Sequence, residues 1–229
     1  MRRKTPATII IIAISVFFYA LLGLSDLFLG YDFLLYFAAK INEFILQGQV
    51  WRFFTPALLH GSIPHIALNM YALFSLGPSL EKKYGTNSFI ALYVLSALFG
   101  NIFSFISSPN ISLGASTAIF GLIAAQGVYI YQNRVLLGRS AQPLLMNIAV
   151  VIVINFILGL SPGIDNWGHF GGLLGGAAYA WFAGPKYYLR SNGFGENLVF
   201  KEKNRVLLVI GVELAFACVL ILIGFLIYR

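Results

Sequence analysis

Four residues of this chain have types and spacing suited to acyl transfer. A serine hydroxyl is a poor nucleophile until an imidazole accepts its proton, and Ser116 and His169 form such a pair if neighbouring helices bring them together. The tetrahedral intermediate then needs hydrogen-bond donors. Asn69 offers its side-chain amide, His65 an imidazole N–H, and Ser116 its own backbone N–H at a helix start, where the helix dipole favours a developing negative charge. His65 and Asn69 are four residues apart, which places both on one helix face about a turn from each other. Gly172 and Gly176 follow His169 by three and seven residues on nearly the same face, where small residues let another helix approach closely.

The elements that must hold these residues are membrane helices. Of 229 residues, 59% are hydrophobic and 10% charged, with a mean hydropathy of +0.83, whereas a soluble domain carries roughly 25% charged residues. A soluble fold of this size could not hide so much apolar surface, so a cytosolic enzyme is excluded. Stretches of ~20 residues without charge mark spanning helices. Residues 5–25 and 53–80 hold the first two, and the 50 uncharged residues between Lys83 and Arg134 hold two more, divided at Ser107-Ser108-Pro109-Asn110. Residues 141–164, 166–185 and 206–228 supply the fifth, sixth and seventh, the last interrupted by Glu213. The first span is too long, and too plainly followed by others, for a cleaved signal peptide.

Charge orients the spans. With the N-terminus inside, twelve Lys and Arg residues fall in inner segments and only Lys40, Arg52 and Arg229 outside, as cytoplasmic loops require. Spans two, four and six then begin on the outer side, so His65, Asn69, Ser116 and His169 share one depth, a coincidence that the span boundaries do not impose. The outer segment 30–59 is rich in aromatics, including Tyr31, Phe33, Tyr36, Phe37, Phe44 and Trp51, and is expected to lie in the membrane interface. The net charge of +7 is spread in short clusters between spans, which points to orientation and lipid contact and not to nucleic acid. The single cysteine, Cys218, provides neither a disulfide nor a thiolate metal site.

Each polar residue alone has a plainer reading. A lone serine in a membrane helix usually packs or back-bonds, an asparagine can act as interhelical glue, and a glycine-rich helix is usually a packing surface. A three-histidine zinc site is disfavoured because His60 and His65 are five positions apart with Pro64 between, and no HExxH motif occurs. Asp32 and Asp165 fall in outer loops, away from the mid-depth an intramembrane aspartyl pair requires. The combination of four residues on one side of the membrane raises the serine reading above these.

From Trp51 to Gly184 the chain resembles the rhomboid family of intramembrane serine proteases. Trp51-Arg52, His60-Gly61 and His65-Ile66-Ala67-Leu68-Asn69 are similar to the family's first loop and its HxxxN helix. Leu80-Glu81-Lys82-Lys83-Tyr84-Gly85 is similar to the acidic cytoplasmic turn that follows. Gly114-Ala115-Ser116 resembles the nucleophile motif GxSG, and His169 through Gly176 the catalytic HxxGxxxG. The resemblance implies Ser116 as nucleophile and His169 as general base without a third carboxylate, an oxyanion hole of Asn69, His65 and the Ser116 amide, and no cofactor or metal. It departs at Thr117, where the family usually has glycine and where bulk and a hydroxyl are added beside the nucleophile. It departs also at Phe120, where many members have tyrosine; the ring can still pack on His169 but donates no hydrogen bond.

The expected architecture is an all-α polytopic bundle with a six-helix rhomboid-like core over 1–185, a cytoplasmic linker over 186–204 and a seventh helix over 205–229, the 6+1 layout. Within the core, an N-terminal helix covers 5–28, the interfacial loop 30–59 and the remaining helices 60–185. The expected activity is endoproteolysis of transmembrane substrates near the outer face of the cell membrane. A small residue is expected at the cleaved position from the resemblance, and a weak substrate helix because a scissile peptide must unwind before serine reaches it. A rhomboid-like protein that binds transmembrane helices without cutting them is the rival reading. A small transporter lacks support, because no pair of broken helices with charged sites occurs at mid-membrane. Glu213 is expected to make a structural hydrogen bond to a core helix in its protonated form.

Overall fold

The structure, a computed structural model, describes residues 5–191, 197–201 and 205–228. It is an all-α polytopic membrane bundle. In chain order the helices are α1 (Pro6–Leu29), α2 (Phe33–Ala38), α3 (Asn42–Leu46), α4 (Ile63–Tyr84), α5 (Thr86–Ser107), α6 (Ser116–Gln132), α7 (Arg134–Leu137), α8 (Ala141–Leu158), α9 (Asn166–Ala183) and α10 (Val206–Ile227). Among the described residues, four helical segments are long and apolar enough to cross a membrane: Pro6–Phe28, Thr86–Ser107, Arg134–Leu158 and Val206–Ile227. The other long helices, α4, α6 and α9, are the ones that carry His65, Asn69, Ser116 and His169. Residues 186–204, a linker by composition, carry two short antiparallel strands, β1 (Tyr187–Ser191) and β2 (Asn197–Lys201), with Tyr187 opposite Lys201 and Ser191 opposite Asn197.

The core is the seam between α5, α6 and α9. Thirteen residues of α5 are buried, among them Phe89, Leu92, Phe99, Ile102 and Phe105. The helices approach closely because α9 presents glycines on two faces. Gly171 and Gly175 lie against Phe103 and Phe99 of α5, while Gly172 and Gly176 lie against the Thr117 carbonyl and Gly121 of α6, leaving no room for a Cβ.

At the end opposite His169, the start of α1 is tied to the end of α4. Glu81 Oε1 accepts the Ala7 N–H (3.0 Å), and Oε2 accepts the Thr8 N–H (2.9 Å) and hydroxyl (2.8 Å). The Thr86 hydroxyl also donates to Oε1 (3.0 Å). The carboxylate thus satisfies donors of the α1 first turn that have no intrahelical acceptor, and its charge complements the helix dipole. Gly85 turns the chain directly from α4 into α5 at φ +85°, a conformation that disfavours side chains.

At the end that carries Ser116, the segment 30–59 folds into α2, α3 and two single 3₁₀ turns, Val50–Phe53 and Thr55–Leu58. Two cations counted as loop charges are in fact fully buried inside it. Arg52 donates to the Ala39 carbonyl (2.6 Å), the Tyr36 carbonyl (2.7 Å) and Gln49 Oε1 (2.8 Å), and its guanidinium lies 4.7 Å from the Phe44 ring centroid. Lys40 Nζ donates to the carbonyls of Asn110 (2.7 Å), Ser108 (2.9 Å) and Ser104 (3.4 Å), placing a cation at the carbonyl end of α5. Its backbone pairs with Ser112 through two hydrogen bonds of 2.9 and 3.1 Å. Burial pulls the Lys40 ammonium down to about 8, against the opposing effect of the Asp165 and Glu43 charges. The loop is therefore locked to the α5–α6 connection, four residues before Ser116.

Candidate active site

Ser116 opens α6 and His169 lies in the first turn of α9. The two helices converge at the glycine seam, and His169 Nε2 sits 2.9 Å from Ser116 Oγ. A hydroxyl donating to Nε2 requires the tautomer that carries its hydrogen on Nδ1. The imidazole is buried and stacks face to face on Phe120, with centroids 4.2 Å apart and planes at 11°. Phe120 is in turn held edge-on by Phe156 of α8 at 5.4 Å. The ring plane of His169 is thus fixed by packing, while Ser116 remains half-buried and reachable.

Gly114 determines how the chain enters α6. Its φ of +127° disfavours any side chain, its N–H donates to the Pro56 carbonyl (2.9 Å), and a Cβ there would lie 2.6 Å from His65 Nε2 and 3.6 Å from Ser116 Oγ. The His65 ring, the Gly114 backbone and the Ser116 hydroxyl therefore share one small volume. His65 itself is in the first turn of α4, which Ser62 caps by accepting the His65 N–H (3.3 Å). Asn69 is buried one turn further on and donates one amide hydrogen to the His65 carbonyl (2.9 Å), which leaves its second amide hydrogen for another acceptor. His60 lies fully buried behind His65, its ring edge-on at 5.1 Å. Among the described residues no three His, Cys, Asp or Glu side chains are grouped to hold a metal.

Thr117 does not project toward the Ser116 hydroxyl. It is buried in the seam, with its Cβ 2.5 Å and its Cγ2 2.9 Å from where a Cβ on Gly100 of α5 would stand, and its Cγ2 3.0 Å from the corresponding point on Gly168 of α9. The bulk that the sequence places beside the nucleophile is accommodated by two glycines on other helices. Gly172 meets the Thr117 carbonyl, Gly176 meets Gly121 one turn further along α6, and Phe120 stacks on His169.

Two neighbours were not singled out by their sequence. Asp165 caps α9, its Oδ1 accepting the Gly168 N–H at 2.9 Å, and the sequence signal for it is an aspartate three residues before a backbone donor at a helix start. Asn166 ties α9 to α8 by donating to the Phe156 carbonyl at 3.2 Å. A cleft of about 250 Å³, lined by Phe156, Asn166, Trp167 and Phe170, opens beside this contact. Glu213, by contrast, is buried on α10 with neither carboxylate oxygen hydrogen-bonded among the described residues; a hydrogen bond to a core helix is not formed.

Comparison with known proteins bears on the family. Residues 47–186 match the family model described as "Rhomboid domain". The chain is 37% identical to Rhomboid protease GluP of Bacillus subtilis over 198 residues, covering 86% of this chain and 38% of that protein. It is 31% identical to Rhomboid protease AarA of Providencia stuartii, covering 74% of this chain and 69% of that protein. It is 35% identical to RHOMBOID-like protein 9, chloroplastic, of Arabidopsis thaliana, covering 69% of this chain and 37% of that protein. The chain thus spans well under half the length of two of these three relatives. With the domain match running through every helix of the site, the chain belongs to the rhomboid family, which typically comprises intramembrane serine proteases.

Proposed function

We propose that the chain is an intramembrane serine endopeptidase that cuts transmembrane proteins near the outer face of the cell membrane. The observation that carries this reading is the 2.9 Å approach of His169 Nε2 to Ser116 Oγ in a buried, ring-stacked geometry. Ser116 attacks the scissile carbonyl while its proton passes to His169, and the same proton then goes to the departing amine as the peptide C–N bond breaks. The resulting acyl-serine is hydrolysed by a water that His169 deprotonates, which regenerates the hydroxyl. The tetrahedral oxyanion is held by the Asn69 amide, His65 and the Ser116 N–H at the start of α6, where donors and helix dipole act together.

The apolar cleft beside Phe156 and Phe170 suits a hydrophobic side chain of the substrate. A substrate with a small residue at the cleaved bond and a weak helix around it is favoured, because its peptide must leave helical geometry inside lipid. Twelve inner against three outer basic residues support an N-terminus in the cytoplasm and a site outside. In this layout 1–185 is the six-helix core, 186–204 the cytoplasmic linker and 205–229 the added seventh helix.

Reconstitution into liposomes with a single-span substrate, carrying alanine and a helix-weakening residue near its outer boundary, tests the reading. Two fragments are expected from the wild type and none from Ser116→Ala. Cleavage that persists in Ser116→Ala overturns the mechanism, and a folded wild type that binds the substrate without cutting it establishes the helix-binding rival.

A further inference from the structure

The start of α9 contains a carboxylate that the Ser116–His169 reading does not use. Asp165 Oδ1 is occupied by the Gly168 N–H at 2.9 Å, but Asp165 Oδ2 is buried without a hydrogen-bond partner among the described residues. His169 Nδ1 and Thr117 Oγ1 are among the other buried polar atoms in that condition. The three residues that carry these atoms meet at the start of α9. A Cβ on Gly168 would stand 2.8 Å from Asp165 Oδ2 and 3.0 Å from Thr117 Cγ2, so the carboxylate and the threonine flank the same residue, next to His169. Asp165 precedes His169 by one helical turn, and the His169 N–H donates to the Asp165 carbonyl at 3.0 Å. Helical side chains lean toward the N-terminus, so the His169 ring leans toward the Asp165 carboxylate.

Charge gives this placement a consequence. When His169 takes the serine proton it becomes a cation at the positive end of the α9 dipole, in a buried setting. Both conditions oppose the cation, and a fixed carboxylate one turn away offsets them. The groups that face His169 from the packed elements are Asp165 on α9 itself, His65 on α4 and the Ser116 hydroxyl on α6. Lys40 of the outer loop acts on Asp165, with Glu43 acting on Lys40.

The geometry points to Asp165 as a positioning residue for His169: a carboxylate that caps α9 with one oxygen and, with the other, supports the imidazolium that forms when Ser116 gives up its proton. This rests on the Ser116–His169 reading. Its role is carried through His169, not through contact with the substrate.

The test is the rate of fluorophosphonate labelling as a function of pH in the full chain, for wild type, Asp165→Asn, Asp165→Glu and Ser116→Ala. Asparagine keeps an oxygen for the Gly168 N–H, so the helix stays capped while the charge is lost. The expected result is a plateau rate lowered about three- to tenfold, with the acid limb moved down by about one pH unit, since a nearby opposite charge shifts a titration by that order. Glutamate restores most of both, and thermal unfolding of the asparagine variant stays near wild type. A wild-type rate and acid limb in Asp165→Asn overturns the inference. A lowered rate with the acid limb unmoved, and no recovery in Asp165→Glu, also overturns it and leaves Asp165 as a helix cap only. Labelling that survives Ser116→Ala instead rejects the serine reading, so the two failures are distinguishable.

Discussion

The α5–α6–α9 seam and helix α8 border the same site and are built in opposite ways. In the apolar window of α5, 72% of residues are buried, whereas in the window spanning α7 and α8 only 6% are. Glycine on α9 removes the side chains that would hold three helices apart, and backbone meets backbone at Gly172 and Gly176. On α8 the contacts at its site end include the Phe120–Phe156 ring pair and one hydrogen bond from Asn166. A proton transfer needs its donor and acceptor held within a few tenths of an ångström. The seam supplies that, and α8 supplies a wall.

Breaking the seam should therefore cost far more than altering the wall. Gly172→Val drives a side chain into the Thr117 carbonyl, and a loss of more than about 3 kcal/mol of stability is expected from overpacking of this kind. Thermal unfolding in detergent reads it, and Val150→Phe on the exposed face of α8 should leave the melting temperature unchanged. Near-wild-type stability of Gly172→Val would remove the contrast.

On the site side of the seam, Asn69→Ala should lower cleavage about 10²–10³-fold through loss of one oxyanion donor, mainly in kcat, with folding retained. A change confined to KM would assign Asn69 to substrate binding instead. Gly100→Ala introduces a methyl 2.5 Å from Thr117 Cβ and should cost about 1–3 kcal/mol. In Thr117→Gly, Gly100→Ala should become cheaper only in part, because the Gly168 carbonyl stays 2.7 Å from the new methyl, and a double-mutant cycle of unfolding temperatures measures that coupling. Thr117→Gly alone should keep its activity and lose about 1–2 kcal/mol, since the side chain fills the seam and glycine weakens a helix. A large gain of activity on that reversion would show that threonine obstructs the nucleophile after all.

The smallest effect concerns Lys40. Its folded value of about 8 lies below the ordinary 10.5, so the folded chain releases this proton before the unfolded chain does. The contribution of Lys40 to stability thus rises as pH climbs from about 8 toward 10.5 and is flat below that window. Lys40→Met should abolish that rise in melting temperature, and a rise that persists would place its source elsewhere.

The candidate site is legible in the sequence because polar side chains are costly in an apolar chain, so Ser116, His169, His65 and Asn69 stand out without any structure. The spacing of Gly172 and Gly176 on one face of α9 is legible for the same periodic reason. What escapes a linear reading is direction across helices. Thr117 reads as crowding beside the nucleophile, and only Gly100, seventeen residues earlier on another helix, and Gly168, on a third, show where its bulk goes. Lys40 and Arg52 read as charges of an outer interfacial loop but are fully buried on backbone carbonyls, since charge alone does not reveal carbonyl partners. Asp165 reads as an outer-loop residue, which it is, but its cap on the helix that follows shows only once the Gly168 N–H is placed, and the β1–β2 pairing lies in a segment whose composition resembles a linker.

The central claim is that His169 activates Ser116. Detergent-purified protein is incubated with a fluorophosphonate and the adduct is located by mass spectrometry in wild type and His169→Ala, with thermal unfolding confirming that both are folded. A single adduct on Ser116, formed at least about 10²-fold more slowly in His169→Ala, is the result this account predicts. An adduct on another residue, or labelling of Ser116 at the wild-type rate without His169, would contradict it.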